Sequence, residues 1–219
     1  MRIAIQNTQT TFRLNRRKIR DLLRFLMRQV AASDATRAWR EISVVITDDA
    51  GISPVNMRWL RHAGPTDVIS FAYDSMPGEQ GFMTAELVVN AERADCVGRR
   101  SIAAHSPRKE NRRGSRKWSP SHELALYLAH GCDHLLPGED DSSPLGRRRM
   151  RRRELRWLRE AESLGLLSGL LLSNHPPRAH PKSWGTVRIP AGTAGSKCGF
   201  LHGYGARRPR RVETSEVSG

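Results

Sequence analysis

Two histidines stand four residues apart in His130-Gly131-Cys132-Asp133-His134-Leu135-Leu136-Pro137-Gly138-Glu139-Asp140-Asp141. On an α-helix, positions i and i+4 share one face, one turn apart, so both imidazoles can converge on a single ion. Pro137-Gly138 would stop that helix and let the chain bring back a third ligand from the carboxylates that follow. Two histidines and a carboxylate around an ion with one open position is the ligand set of hydrolytic Zn²⁺ sites. The same spacing also suits two core histidines hydrogen-bonded to neighbours, and the residues alone leave both readings open. Gly131 occupies the place where a His-Glu-x-x-His protease carries its general base, which counts against a metallopeptidase. Cys132, two residues from each histidine, points away from their common face and reads as packing.

The elements that must hold this motif are legible around it. Ser119-Pro120-Ser121-His122-Glu123 offers a serine N-cap, proline at the first helical position and an acidic first turn. Leu124, Leu126, Tyr127, Leu128 and Ala129 are apolar on more than one face, the pattern of a buried helix. A last helix is expected over Arg147–Leu164, with Met150, Leu155, Trp157 and Leu158 facing the core. Upstream, alternation predicts strands at 2–7, 41–47, 66–73 and 84–90. Leu14–Ala32 reads as an amphipathic helix, with Leu22, Leu23, Phe25, Leu26 and Val30 opposite a face rich in arginine. A short helix over Ile52–Leu60 is opened by Ser53-Pro54. These elements predict one α+β domain over residues 1–165: a small, mixed four-stranded sheet packed with helices, the central helix carrying the histidines. Residues 97–118 read as a basic loop. Residues 166–219 read as a basic tail, largely disordered where Pro, Gly, Ser, His and Arg dominate beyond about 172.

The chain has 219 residues and a net charge of +15, and the excess is localised. Residues 99–118 carry net +7 and residues 165–219 net +6, while residues 119–164 balance. Such segments are electrostatic footprints for nucleic acid, and RNA or the ribosome is the expected partner. Arg112 and Arg113 are candidate phosphate contacts. Three cysteines far apart, with no Cys-x-x-Cys pair, argue against a disulfide framework. No apolar run reaches membrane-spanning length and the N-terminus is unlike a signal peptide, so no membrane association and a reducing cytoplasmic location are expected.

Three blocks resemble the YbeY family of endoribonucleases and ribosomal-RNA maturation factors. Pro65-Thr66-Asp67-Val68-Ile69-Ser70-Phe71 resembles the family's Thr-Asp-Val-Leu-Ser-Phe strand. Ala85-Glu86-Leu87-Val88-Val89 is similar to its Gly-Asp/Glu-Ile-x-Ile edge strand. His130-Gly131-x-x-His134-Leu135 followed by Gly138-x-Asp140-Asp141 is similar to its His-Gly-x-Leu-His-Leu-x-Gly-x-Asp-His zinc signature. The likeness covers about residues 1–165. The departures are specific. The family's third ligand is usually histidine, whereas this chain has aspartate there, with Pro137 as an apparent one-residue insertion. Straight counting puts Asp140 in the ligand place, and allowing for the insertion puts Asp141 there. Asp133 replaces an apolar residue and is either an acceptor for an imidazole N–H or a solvent-facing carboxylate. The family's arginine before the Thr-Asp block has Leu60 in register, with Arg61 and His62 next.

The resemblance implies a Zn²⁺-dependent, single-strand-specific endoribonuclease that matures ribosomal-RNA precursor at the 3′ end of the small-subunit RNA. It implies His130, His134 and Asp140 or Asp141 as metal ligands. Arg61, His62, Arg112 and Arg113 would contact RNA, and Glu86 would move a proton if its strand lines the cleft. Trp59 and Trp118 border basic residues and could stack on bases. The alternatives are a ribosome-assembly factor with structural zinc and a metallopeptidase-like hydrolase.

Overall fold

The computed structural model describes residues 1–74, 82–104, 118–138 and 142–172. Four strands form a mixed sheet in the order β1 (Arg2–Asn7), β3 (Ala38–Thr47), β5 (Phe82–Asn90), β4 (Val68–Tyr73). β1 and β5 run parallel to β3, and β4 is antiparallel to β5. The α+β expectation holds, with one correction. β5, expected at an edge, lies between β3 and β4. Its Leu87, Val88 and Val89 are buried on both faces, and a strand covered on both sides reads as a continuous apolar run rather than as alternation.

The sheet carries helices on both faces. α1 (Arg16–Ser33) and α4 (Pro120–Asp133) cover one face and bury Leu22, Leu26, Ile42, Val44, Leu87, Val89, Leu124 and Leu128 in the main core. α1 begins at Asn15, whose side chain accepts from Lys18 N. On the other face α2 (Asp49–Leu60) closes a smaller cluster of Ile52, Ile69 and Val88. α2 starts three residues earlier than expected because Asp48 caps it by accepting from Gly51 N, and Pro54 falls inside the first turns.

α3 (Ala91–Ala104) replaces the first part of the expected basic loop, and residues 105–117 lie outside the described residues. Its helical period is faint in sequence because its buried positions, among the described residues, are the small Ala91, Ala94 and Gly98. Small residues let it pack closely on α4: a Cβ on Gly98 would meet the Pro120 backbone at 2.4 Å. Asn90 ties this end of the sheet together. It accepts from Arg93 N at the start of α3 and donates to Asp49 Oδ1 at 2.6 Å and to the Thr66 carbonyl at 3.1 Å.

α5 (Pro144–Ser163) is capped by Ser143, packs on α4 and buries Met150, Glu154, Trp157, Leu158 and Ala161. The packed chain continues past 165. Leu167, Leu170 and Leu171 are buried in the main core, and β6 (Leu171–Leu172) pairs with β2 (Arg13–Leu14). Residues 166–172, expected to open the tail, are therefore part of the packed domain. Residues 173–219, expected to be disordered, lie outside the described residues.

Candidate active site

α4 is the pedestal of the site. Ser119 caps it and Pro120 opens it, as its sequence predicts. Its far end lies so close to the sheet that a Cβ on Gly131 would stand 2.9 Å from Val68 Cγ2 and 3.2 Å from Leu87 Cδ2. Ser70 Oγ donates to the Gly131 carbonyl at 3.0 Å. Glycine here is thus a packing requirement, and a side chain at 131 would face β4 and β5. Cys132 is fully buried in the core, and burial pushes its thiol well above the usual range. The helix ends at Asp133, with His134 as its C-cap. Gly138 takes φ +73°, a left-handed conformation that suits glycine.

The two imidazoles meet edge to face, with ring centroids 4.6 Å apart and planes at 79°. Their Nε2 atoms lie 3.2 Å apart. Nδ1 of His130 is 2.6 Å from Glu154 Oε1. A carboxylate at that distance holds the proton on Nδ1 and leaves Nε2 as the lone-pair nitrogen facing His134. Glu154 itself is buried, and Arg151 Nη1 lies 3.7 Å from its other oxygen.

Asp133 neither faces solvent nor lies at the surface: it is fully buried. It accepts from Arg153 Nε, and the Arg153 guanidinium lies 6.0 Å from the Trp157 ring centroid. Adjacent residues of α5 therefore hold adjacent parts of the histidine turn, Arg153 through Asp133 and Glu154 through His130.

Two imidazole nitrogens that share one tetrahedral zinc at ~2.0–2.1 Å stand about 3.3–3.4 Å apart. The observed 3.2 Å is close to that, and a buried carboxylate behind one histidine is the usual outer partner of a ligating imidazole. This donor set fits a metal of that kind. Among the described residues, no group of three or more His, Cys, Asp or Glu side chains is placed to hold an ion. Asp140 and Asp141, the expected third ligands, lie outside the described residues, as do Arg112 and Arg113.

One turn and more before His130, on the same stripe of α4, stand Glu123 and Tyr127. Both are buried. Trp118 Nε1 donates to Glu123. Burial raises the Glu123 carboxyl above its ordinary value, against the lowering effect of the Trp118 bond, and the nearby Asp67 charge adds to the rise.

The other predicted residues are placed apart. Glu86 lies on the sheet face opposite α4, in register with Phe71, and accepts from the Tyr73 hydroxyl at 3.3 Å. It does not share a face with the histidines, because Leu87 takes the alternate position beneath α4. Arg61 and His62 are exposed at the end of α2. Arg61 adopts φ 59°, ψ 28°, the one non-glycine residue at positive φ among the described residues. A bulky residue held in this region stores strain, and such positions cluster at functional sites.

Sequence reasoning missed Glu154. A signal exists: 150, 154, 157, 158 and 161 form the buried stripe of α5, and a lone carboxylate sits in it amid arginines. A charged residue on a core stripe needs a partner, and here the partner is His130.

The family model described as endoribonuclease YbeY matches residues 4–162. The chain belongs to the YbeY family. Among curated YbeY relatives, the endoribonuclease YbeY of Rhodopirellula baltica is 40% identical over 114 residues, covering 52% of this chain and 50% of that protein. The endoribonuclease YbeY of an Anaeromyxobacter species is 33% identical over 158 residues, 72% of each chain. The chain thus spans half the length of the first of these YbeY proteins and 72% of the second. The solution structure of TM1509 from Thermotoga maritima aligns with TM-score 0.42 and 16% identity, covering 75% of this chain and 94% of that one. No helix among the described residues is long and apolar enough to cross a membrane.

Proposed function

We propose that this protein is a metal-dependent endoribonuclease that cuts single-stranded RNA and acts in maturation of small-subunit ribosomal RNA. The observation that carries the reading is the histidine pair on α4, with Nε2 atoms 3.2 Å apart and one ring oriented by a buried glutamate, within the segment that matches the YbeY family. His130 and His134 would hold Zn²⁺ with Asp140 or Asp141 as third ligand. A zinc ion held there would supply an acidified water and polarise a phosphoryl oxygen. Glu154 fixes the His130 tautomer so that Nε2 presents its lone pair. The Asp133–Arg153 pair keeps the histidine turn seated on α5. Arg151, half-exposed beside Glu154, is a cation next to the histidines suited to a phosphate oxygen.

Metal content and cleavage of a single-stranded RNA, compared between wild type and His130→Ala, test the reading. Wild type is expected to carry close to one zinc per chain and to cut the RNA, and the variant to lose both. A wild-type protein that binds no metal refutes the zinc assignment. A protein that holds metal yet leaves RNA intact supports instead an assembly factor with structural zinc.

A further inference from the structure

On the sheet face opposite α4, three aromatic rings form one run. Trp59, on the last turn of α2, meets Phe71 of β4 edge to face at 5.6 Å between centroids. Phe71 stacks with Tyr73, two residues along the strand, at 6.4 Å and 20° between planes. Trp59 is 53% and Tyr73 45% exposed, high values for side chains of this size. The Arg58 guanidinium lies 5.4 Å from the Trp59 ring centroid, and exposed Arg61 follows at the helix end. At the other end, the Glu86 carboxylate accepts from the Tyr73 hydroxyl and offers an acceptor beside the last ring.

We propose that this aromatic run binds bases of a single-stranded RNA segment adjacent to the one held at the histidines; the proposal rests on the endoribonuclease reading. Exposed aromatic rings are what unpaired bases stack on, and cations beside them suit the phosphates between those bases. The chemistry favours RNA over a protein partner because the guanidinium of Arg58 and exposed Arg61 border the rings. Topology connects the two places. β4 is an edge strand among the described residues; Ser70 on one face touches the histidine helix, and Phe71 on the other belongs to the run. A strand that crosses the β4 edge therefore passes from one to the other.

Fluorescence anisotropy of the full chain in EDTA, with single-stranded RNAs of about 4 and about 12 nucleotides, tests it. Trp59→Ala and Tyr73→Ala are each expected to weaken binding of the longer RNA by roughly tenfold, and Trp59→Phe to restore most of the loss. With metal present, the rate of cutting the short strand stays at wild type in all three. Both side chains are exposed, so the variants are expected to melt like wild type. If the wild type cuts RNA but the variants bind the long strand as tightly as it does, the aromatic site is overturned while the nuclease reading stands. A wild type that neither binds nor cuts RNA overturns both.

Discussion

Glu154 decides which nitrogen of His130 faces the cleft, at 2.6 Å from Nδ1. Glu154→Gln keeps the shape but loses the charge that holds the proton on Nδ1. Losses of this kind behind a ligating histidine weaken metal by 10–100-fold. The variant is expected to lose zinc to a competing chelator within that range while its thermal melt stays close to wild type. A second residue-scale consequence concerns Glu123. Burial raises its carboxyl above the unfolded value, so the folded chain takes up its proton at higher pH than the unfolded chain. Stability is then greatest with Glu123 protonated and falls as pH rises through the unfolded carboxylate range to the folded pKa. Glu123→Gln removes that slope and still accepts from Trp118. Its urea midpoint is expected to exceed wild type at pH 7 and to converge with it near pH 4. A gap that widens toward pH 4 would reverse the assignment.

At the scale of elements, the site depends on how α5 seats against α4. The Asp133–Arg153 pair is buried on the acidic side and backed by Trp157. Removing one partner leaves a charge in the interior, which costs about 3–5 kcal/mol, whereas replacing both by apolar residues is often near neutral. Asp133→Leu alone is therefore expected to lower stability by roughly 3 kcal/mol, and Asp133→Leu with Arg153→Met to recover most of it. Denaturant unfolding of the two single variants and the double variant measures the coupling. Near-additive losses would show that the two helices are held by apolar contacts alone. Gly131 belongs to the same argument: the close approach of α4 to β4 and β5 sets the height of the histidines over the sheet.

For the molecule as a whole, the two histidines stand half-buried at the margin of the core, while Cys132, Leu135 and Leu136 of the same turn pack into it. The main cluster runs through α1, β3, β5, α4, α5 and the 167–171 segment without either histidine. Metal removal is therefore expected to abolish RNA cleavage while far-UV circular dichroism and a cooperative melt persist. Unfolding on chelation, as in small zinc domains, would instead mark the metal as structural.

The sequence by itself determined the pieces whose information is local. Ser119-Pro120 open α4 because caps act within one turn, and the i, i+4 histidines share a face by helix geometry alone; the helix ends at Asp133, before the Pro137-Gly138 pair expected to stop it. The four strands of the sheet were legible from alternation and β-branched runs, and the matching blocks pointed to the YbeY family. Only the tertiary structure decided what depends on contacts between distant segments. Glu154 is 24 residues from His130, and nothing local tells a buried glutamate amid arginines from a solvated one. Asp133 reads as a polar residue on a helix end until Arg153 is brought across from α5. Glu86 falls away from the histidines because strand order and register, which no single strand encodes, put Leu87 under α4. The α3 helix stayed hidden because packing against α4 demanded small residues, and small residues leave little hydrophobic period to read.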